Sequence, residues 1–317
     1  MKAPQKNLHQ AGEWSLKTAF QQEVCSLREA KALCRKLARS HYENFIVASV
    51  FLPSHLRQHF YNVYAYCRIS DDLGDETGDP NLALELLERW GEELRACYEG
   101  QPRHPVFVAL RETIEAFEIP IRPFSDLLEA FKQDQKKNRY QTYEELLDYC
   151  RYSANPVGHL VLYLGGYRDA ERQRLSDKTC TALQLANHWQ DVGRDLVRLN
   201  RIYIPIEDMQ LFGYSEADLT AGTCDDRFVA LMRLEVERAR LLFCEGLKLC
   251  DWVGFPLAMD VELFGRCGLE ILRRIELAGY DVFQHRPTLS KWDGLKILTR
   301  CWWAGQLRKM NKPVPAL

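Results

Sequence analysis

The stretch YNVYAYCRISDDLGDETGDP, Tyr61 to Pro80, decides what kind of protein this is. Its apolar residues recur in three- and four-residue steps, the period of an amphipathic helix, and do not alternate as a strand would. Pro53 stands where that helix opens and Gly78-Asp79-Pro80 where it ends, because proline suits a first turn and glycine releases the chain at the close. On such a helix Tyr64, Arg68, Asp71 and Asp75 fall at i, i+4, i+7 and i+11 and line one stripe, with Asp72 beside it. Two carboxylates four residues apart repel each other unless a cation lies between them. Hard oxygen ligands suit Mg²⁺, which keeps several waters and accepts substrate phosphate oxygens. A lone DxxxD is usually a solvated face, and Asp75 with Asp79 repeats the spacing across Gly78 without any such meaning.

The same period extends outward over most of the chain, and β-branched alternation rarely lasts beyond a few residues. Breaks fall at Pro102 to Pro105, Pro120 to Pro123, Asn155-Pro156, Gly165-Gly166, Pro205, Gly213, Gly222, Gly254 to Pro256 and Pro287. They leave segments of roughly 12 to 25 residues, long for a β protein and natural for an all-α bundle of about ten helices. No Ser/Gly tract, proline-rich run or long block of one charge separates one part from another, and no fixed-period repeat is present. A single domain over residues 1–317 is expected, with 1–14 and 310–317 frayed at the ends.

Composition narrows the function. Of the 317 residues 46% are hydrophobic and 27% charged, ordinary globular usage that excludes a disordered or low-complexity scaffold. The formal charge of −2 removes the phosphate-neutralising excess on which nucleic-acid binding depends. Eleven cysteines without a CxxC pair, behind the polar N-terminus MKAPQKNLHQ, suggest reduced thiols in a cytoplasm. The apolar runs FIVASVFLP (Phe45 to Pro53) and VGHLVLYLGG (Val157 to Gly166) reach only about half of the roughly 20 residues a spanning helix needs. Peripheral contact with a bilayer stays open.

A second stripe gives the first its meaning. In QLANHWQDVGRDLVRLNRIYIPIED, Gln184, Asn187, Asp191 and Asp195 again share a helix face. On facing helices of a bundle, the two carboxylate pairs would rim one cavity. Two or three Mg²⁺ ions held there would clamp a diphosphate and stabilise it as a leaving group. Arg68, Arg194 and Arg201 stand near enough in sequence to bond phosphate oxygens or to pair locally with Asp71 and Asp191. A departing diphosphate leaves a carbocation, which needs a water-poor, aromatic-lined pocket. Phe45, Phe51, Phe60, Tyr61, Tyr64, Tyr66, Tyr149, Tyr152 and Tyr163 supply aromatics around the candidate site, although most such residues on a helical face are plain core.

The strings YAYCRISDDLGDE (Tyr64 to Glu76), RYQTYEELLDYCRYSANPVG (Arg139 to Gly158) and NHWQDVGRDLVRLNRIYIP (Asn187 to Pro205) resemble the squalene and phytoene synthases. The resemblance implies an all-α isoprenoid-synthase bundle with a central cavity. It assigns Mg²⁺ and diphosphate binding to Asp71, Asp75, Asp191 and Asp195 with Asn187 assisting, and puts Tyr64 and Arg68 near the diphosphate. It makes Val157-Gly158 a helix break beside the lipid cavity. Substrate contacts are expected from Glu43, Phe45, Tyr149, Val157, Gly158, Gln184, Asn187, Arg194 and Arg201. Within the family, HYENF (His41 to Phe45), AFKQDQ (Ala130 to Gln135) and SANPVG are most similar to the bacterial hopanoid-pathway branch, hydroxysqualene synthase. That branch implies presqualene diphosphate as substrate, water as the capturing nucleophile, and functional coupling to a presqualene diphosphate synthase and a hydroxysqualene-reducing enzyme. The other reading is condensation of two farnesyl or geranylgeranyl diphosphates. Many condensing relatives carry a basic residue where Glu43 stands here; a glutamate disfavours a second diphosphate and could accept a hydrogen bond from water.

Other signals lead elsewhere. His55 and His59 have helical metal spacing but no HExxH and no third ligand. No GxGxxG or GxxxxGK[ST] loop occurs, so no nicotinamide is expected. Lys132, Lys136, Lys137 and Arg139 form a basic cluster, either a solvated helix end or a contact for anionic headgroups. Gly74 sits in the first motif where a helix former is expected, and Arg266, Arg273 and Arg274 carry no assignment.

Overall fold

Residue contacts in the computed structural model, which describes residues 25–40 and 52–311, gather the chain into two units. The first comprises Met1–Lys137 and His159–Arg168, the second Asn138–Gly158 and Asp169–Leu317. The fold is all-α. Among the described residues there are thirteen α-helices and no strand, only an isolated parallel bridge between Arg139 and Ile202.

In the first unit lie α1 (Leu27–Ser40), α2 (Ser54–Asp75), α3 (Pro80–Tyr98), α4 (Pro105–Phe117) and α5 (Arg122–Asp134), with the later part of α7 (Asn155–Leu164). Proline opens α3 and α4, and each is capped by the preceding residue: Asp79 accepts from the Asn81 N–H at 2.9 Å, His104 from that of Val106 at 3.2 Å. Helix α2 packs against α1, α3, α4 and α5. Tyr66, Trp90, Phe107 and Phe124 are wholly buried between them, with Trp90 and Phe107 ring centroids 4.5 Å apart. Burying each such ring contributes roughly 1.5–3 kcal/mol. Three polar bonds then fix the rotation of α2 about its axis. Asn62 donates to the Ala109 carbonyl at 2.9 Å, Tyr66 to that of Phe124 at 2.8 Å, and Trp90 to the Ser70 hydroxyl at 3.0 Å. With that face committed to the core, the stripe of Tyr64, Arg68, Asp71 and Asp75 is left at the partly open side.

The second unit holds α6 (Tyr143–Ser153), the start of α7, α8 (Ala170–Leu199), α9 (Ile206–Leu211), α10 (Glu216–Thr220), α11 (Asp226–Gly246), a 3-10 turn (Leu247–Asp251), α12 (Phe255–Leu277) and α13 (Lys291–Asn311). The count exceeds ten because short helices α9 and α10 sit between the Pro205, Gly213 and Gly222 breaks. Thirty-residue α8 packs on α11 and α12, and α12 on α13. Glycine sets the approach of α8 to α11 and that of α11 to α12. A Cβ at Gly246 would collide with Thr179, and one at Gly268 with the Phe243 ring. Helix α8 stops at Asn200, whose left-handed backbone (φ 51°) returns its N–H to the last turn. Arg139 braces that stop, donating to the Asn200 carbonyl and, at 3.0 Å, to its side chain. Buried Glu235 and Asp208 share Arg238, which lies 2.6 Å from Asp208 and over the Tyr143 ring. None of the eleven cysteines is in a disulfide; Cys34, Cys97, Cys150, Cys250 and Cys301 are buried, and Cys224 and Cys244 exposed.

Candidate active site

On α2 the two adjacent aspartates of SDDLGD do different work. Asp72 is buried, its side chain 1% exposed, and forms an ion pair with the Arg68 guanidinium. Asp71, with 44% of its side chain exposed, accepts from the same guanidinium at 3.2 Å. One cation therefore faces several anions. Loss of surrounding water, together with the charges of Asp75, Asp72 and Asp134, pushes the Asp71 carboxyl up to about 7 against the pull of Arg68. Burial likewise pushes the Tyr64 phenol up to about 12, so it stays protonated and donates hydrogen bonds at neutral pH. Gln135 donates to the Gly74 carbonyl at 3.0 Å. A Cβ at Gly74 would meet Phe131 and Gln135 at 3.5 and 3.6 Å, ordinary contact distances, so close packing does not require glycine there.

On α8, Gln184, Asp191 and Asp195 are partly buried and Asn187 exposed. Asp191 receives both Nε and Nη2 of Arg286, at 2.5 and 2.8 Å, a bidentate pair spanning 95 positions. Arg194 approaches Asp191 only to 3.9 Å. The segment carrying Arg286 is tied down just after it, by Gln190 donating to the Pro287 carbonyl and Arg274 to that of Thr288. Asp191, Arg194, Arg286 and Gly222 border an open groove of about 490 Å³. Arg201 is buried beside His188, and both border a small gap with Asp195 and Tyr203. Burial and the Arg201 charge push His188 down to about 3, leaving a neutral ring stacked on Tyr203 at 3.5 Å.

Several of the expected contact residues also have structural partners. Tyr149 is buried among Tyr140, His188 and Tyr203 as part of an aromatic stack. Val157 and Gly158 lie inside the first turns of α7, so the helix break falls at Ala154, three residues earlier than the resemblance suggests. Gly158 is a packing point: a Cβ there would collide with Ser176 and Cys180 of α8. In the basic cluster Lys132 pairs with Glu88 at 2.7 Å and Arg139 with Glu216 at 2.5 Å, so these two are engaged as ordinary ion pairs. Arg266 pairs with Glu262, and Arg273 and Arg274 with Glu270. Glu43, Phe45 and Phe51 lie outside the described residues. Sequence reasoning missed Arg286 and Asp134. Asp134 stood inside the quoted AFKQDQ, four residues on from Ala130, whereas only the Arg-Pro step at 286–287 marked the other.

The donors present fit a hard divalent cation. They are carboxylate and amide oxygens, and the crowding of negative charge around Asp71 is the imbalance such an ion relieves. Among the described residues no three His, Cys, Asp or Glu side chains gather into a self-sufficient metal cluster. An ion here would take its remaining ligands from water and from phosphate oxygens, the habit of Mg²⁺.

Residues 38–293 match the squalene/phytoene synthase family. The chain belongs to that family. It is 33% identical over 283 residues to the phytoene synthase of Arthrospira platensis, covering 84% of this chain and 90% of that one. It is 32% identical to the 15-cis-phytoene synthase of Synechocystis sp., covering 89% and 87%. Among solved structures, squalene synthase HpnC from Alicyclobacillus acidocaldarius is 48% identical, covers 83% of this chain and 98% of its own, and superposes with a TM-score of 0.77. A ligand-bound dehydrosqualene synthase is 26% identical, with a TM-score of 0.80 over 89% of this chain and 98% of that one. As a squalene/phytoene synthase family enzyme, the protein takes isoprenoid diphosphate substrates.

Proposed function

We propose that this enzyme ionises presqualene diphosphate and lets water capture the rearranged cation, giving hydroxysqualene and diphosphate. The C–O bond to diphosphate breaks with both electrons leaving on oxygen; a water oxygen later bonds to carbon and loses a proton. The observation that carries the ionisation step is the crowding of carboxylates around Asp71. Asp71, Asp75, Asp191 and Asp195, with Asn187, would hold two or three Mg²⁺ ions serving one diphosphate, with the two units acting as one catalytic domain. When bound, Mg²⁺ supplies Lewis-acid stabilisation of the leaving group. The chain's own groups do the rest. Arg68, Arg194, Arg201 and Arg286 offer charge-assisted bonds to phosphate oxygens, and the Tyr64 hydroxyl stays protonated to donate another.

For a squalene-type over a phytoene-type product, support comes from the 48% identity to squalene synthase HpnC against 33% and 32% to the phytoene synthases, and this does not separate presqualene diphosphate from two farnesyl diphosphates as substrate. Further support is the resemblance of HYENF, AFKQDQ and SANPVG to the hydroxysqualene branch. The second reading, condensation of two prenyl diphosphates to presqualene diphosphate, squalene or phytoene, is favoured by the names of those phytoene synthases. We place the enzyme in the cytoplasm, coupled to a presqualene diphosphate synthase before it and a hydroxysqualene-reducing enzyme after it, with no nicotinamide of its own. Incubating purified protein and Mg²⁺ with labelled presqualene, farnesyl or geranylgeranyl diphosphate tests the choice. Hydroxysqualene from the first substrate alone is expected. Turnover of farnesyl or geranylgeranyl diphosphate without use of presqualene diphosphate would overturn it.

A further inference from the structure

The last helix, α13, is apolar on two opposite faces. Ile297 and Cys301 are buried on the side where α13 packs against α12, and Gly305 lies against Phe255 and Met259. Half a turn away Trp292, Leu295, Trp302 and Trp303 form a second stripe, at i, i+3, i+10 and i+11, and they are 73%, 49%, 42% and 64% exposed. Burial against α12 explains the first face and nothing about the second. Three of the chain's seven tryptophans stand in this stripe. Such residues are costly to leave in water and are concentrated where an apolar phase meets a wet one.

The charge on the same helix says what covers it. KWDGLKILTRCWWAGQLRKMN carries five basic residues and one acid in a chain whose formal net charge is −2. The acid, Asp293, is spent internally, 2.7 Å from Arg274. Lys296 and Arg300 flank the tryptophan stripe, both exposed and with no ion pair among the described residues. An exposed apolar stripe bordered by cations is the signature of a helix lying in the plane of an anionic bilayer. No described helix is long and apolar enough to cross a membrane, so a spanning role does not compete. A second copy fits less well, because a two-fold interface would set this basic helix against its own basic twin.

We propose that α13 docks the protein on an anionic lipid surface, with the three tryptophans and Leu295 entering the headgroup layer and Lys296 and Arg300 meeting lipid phosphates. The inference goes beyond the reaction assigned above and does not depend on which diphosphate is consumed. Co-sedimentation with vesicles of phosphatidylcholine alone, or mixed with phosphatidylglycerol, tests it without any turnover assay. Binding to the mixed vesicles, weakened by salt and accompanied by a blue shift of tryptophan emission, is the expected result. Combined Trp292→Ser, Trp302→Ser and Trp303→Ser should weaken it at least ~10-fold. Lys296→Glu with Arg300→Glu leaves the apolar packing of α13 intact and should remove most of the preference for phosphatidylglycerol. Circular dichroism melts verify that each variant folds. Wild-type protein left in the supernatant at low salt, or folded variants pelleting as well as wild type, would overturn the proposal. So would a lipid-free dimer that the tryptophan substitutions dissolve, which would assign the stripe to a second copy.

Discussion

The acidic stripes of α2 and α8 carry nearly the same spacing and opposite electrostatics. On α2, Asp71 has the carboxylates of Asp75, Asp72 and Asp134 around it, and its nearest guanidinium, Arg68, is already committed to buried Asp72. On α8, Asp191 is gripped at both oxygens by Arg286. The first stripe is short of positive charge, and the second brings its own. A cation relieves the first directly. At the second, an incoming anion can share a guanidinium that is already in place.

The largest effect should come from removing a carboxylate on either side. Asp71→Asn or Asp191→Asn should lower diphosphate release by about 10²–10³-fold or more, as loss of one charge-stabilising group does elsewhere, while thermal melts show the fold retained. Full activity in either variant would break the comparison by making that stripe ornamental. Arg286→Ala should cost less, roughly 10–100-fold in kcat/KM, with Arg286→Lys recovering only part, because an ammonium cannot make the two-pronged contact. Equal activity of the lysine and wild-type enzymes would show that bidentate geometry is irrelevant at the second stripe.

Acidity sharpens the contrast. The Asp71 carboxyl is raised to about 7 in the folded protein, so between about pH 4 and 7 the folded state holds a proton that the unfolded chain has lost. The stability this group contributes is fully present below about pH 4 and is lost as pH rises through 7. Calorimetric Tm values without Mg²⁺ should therefore decline across that window. Adding Mg²⁺, or replacing Asp75 by Asn, should flatten the decline, and Mg²⁺ affinity should weaken below pH 7 as protons compete for the ligand. A decline unchanged by both would mean that the crowding around Asp71 does not respond to a cation.

The smallest effects separate two glycines. Gly158→Ala forces a methyl into Ser176 and Cys180 and should cost about 1–3 kcal/mol in urea unfolding. Gly74→Ala meets only ordinary contacts and should be neutral or gain up to ~1 kcal/mol. The reverse order would mean that the first motif, and not the α7–α8 approach, needs the missing side chain.

Local spacing made much of this legible. The period of Tyr64, Arg68, Asp71 and Asp75 is a property of one helix, and so is that of Gln184, Asn187, Asp191 and Asp195, so both stripes could be read from consecutive residues. The helical class followed from the same period. Arg286 could not be found that way, because its partner lies 95 positions earlier and only folding of the 283–290 segment brings the two together. The division of labour between Asp71 and Asp72 was equally hidden, since burial, and not spacing, sets it. Gly158 shows a second thing that spacing hides: a Cβ there would collide with Ser176 and Cys180 of α8, so the residue serves helix packing, which only those neighbours reveal.

The cysteine pattern has a practical corollary. Burial raises the thiols of Cys34, Cys150, Cys180 and Cys301 to about 12, leaving almost no thiolate to react. Cys224 and Cys244 are exposed, and Cys224 stands two residues from Gly222 on the rim of the groove that holds Arg286. A maleimide dye should therefore react first at these two exposed positions of the native enzyme. With Cys244→Ser in hand, the remaining fluorophore would report occupancy of that groove in real time.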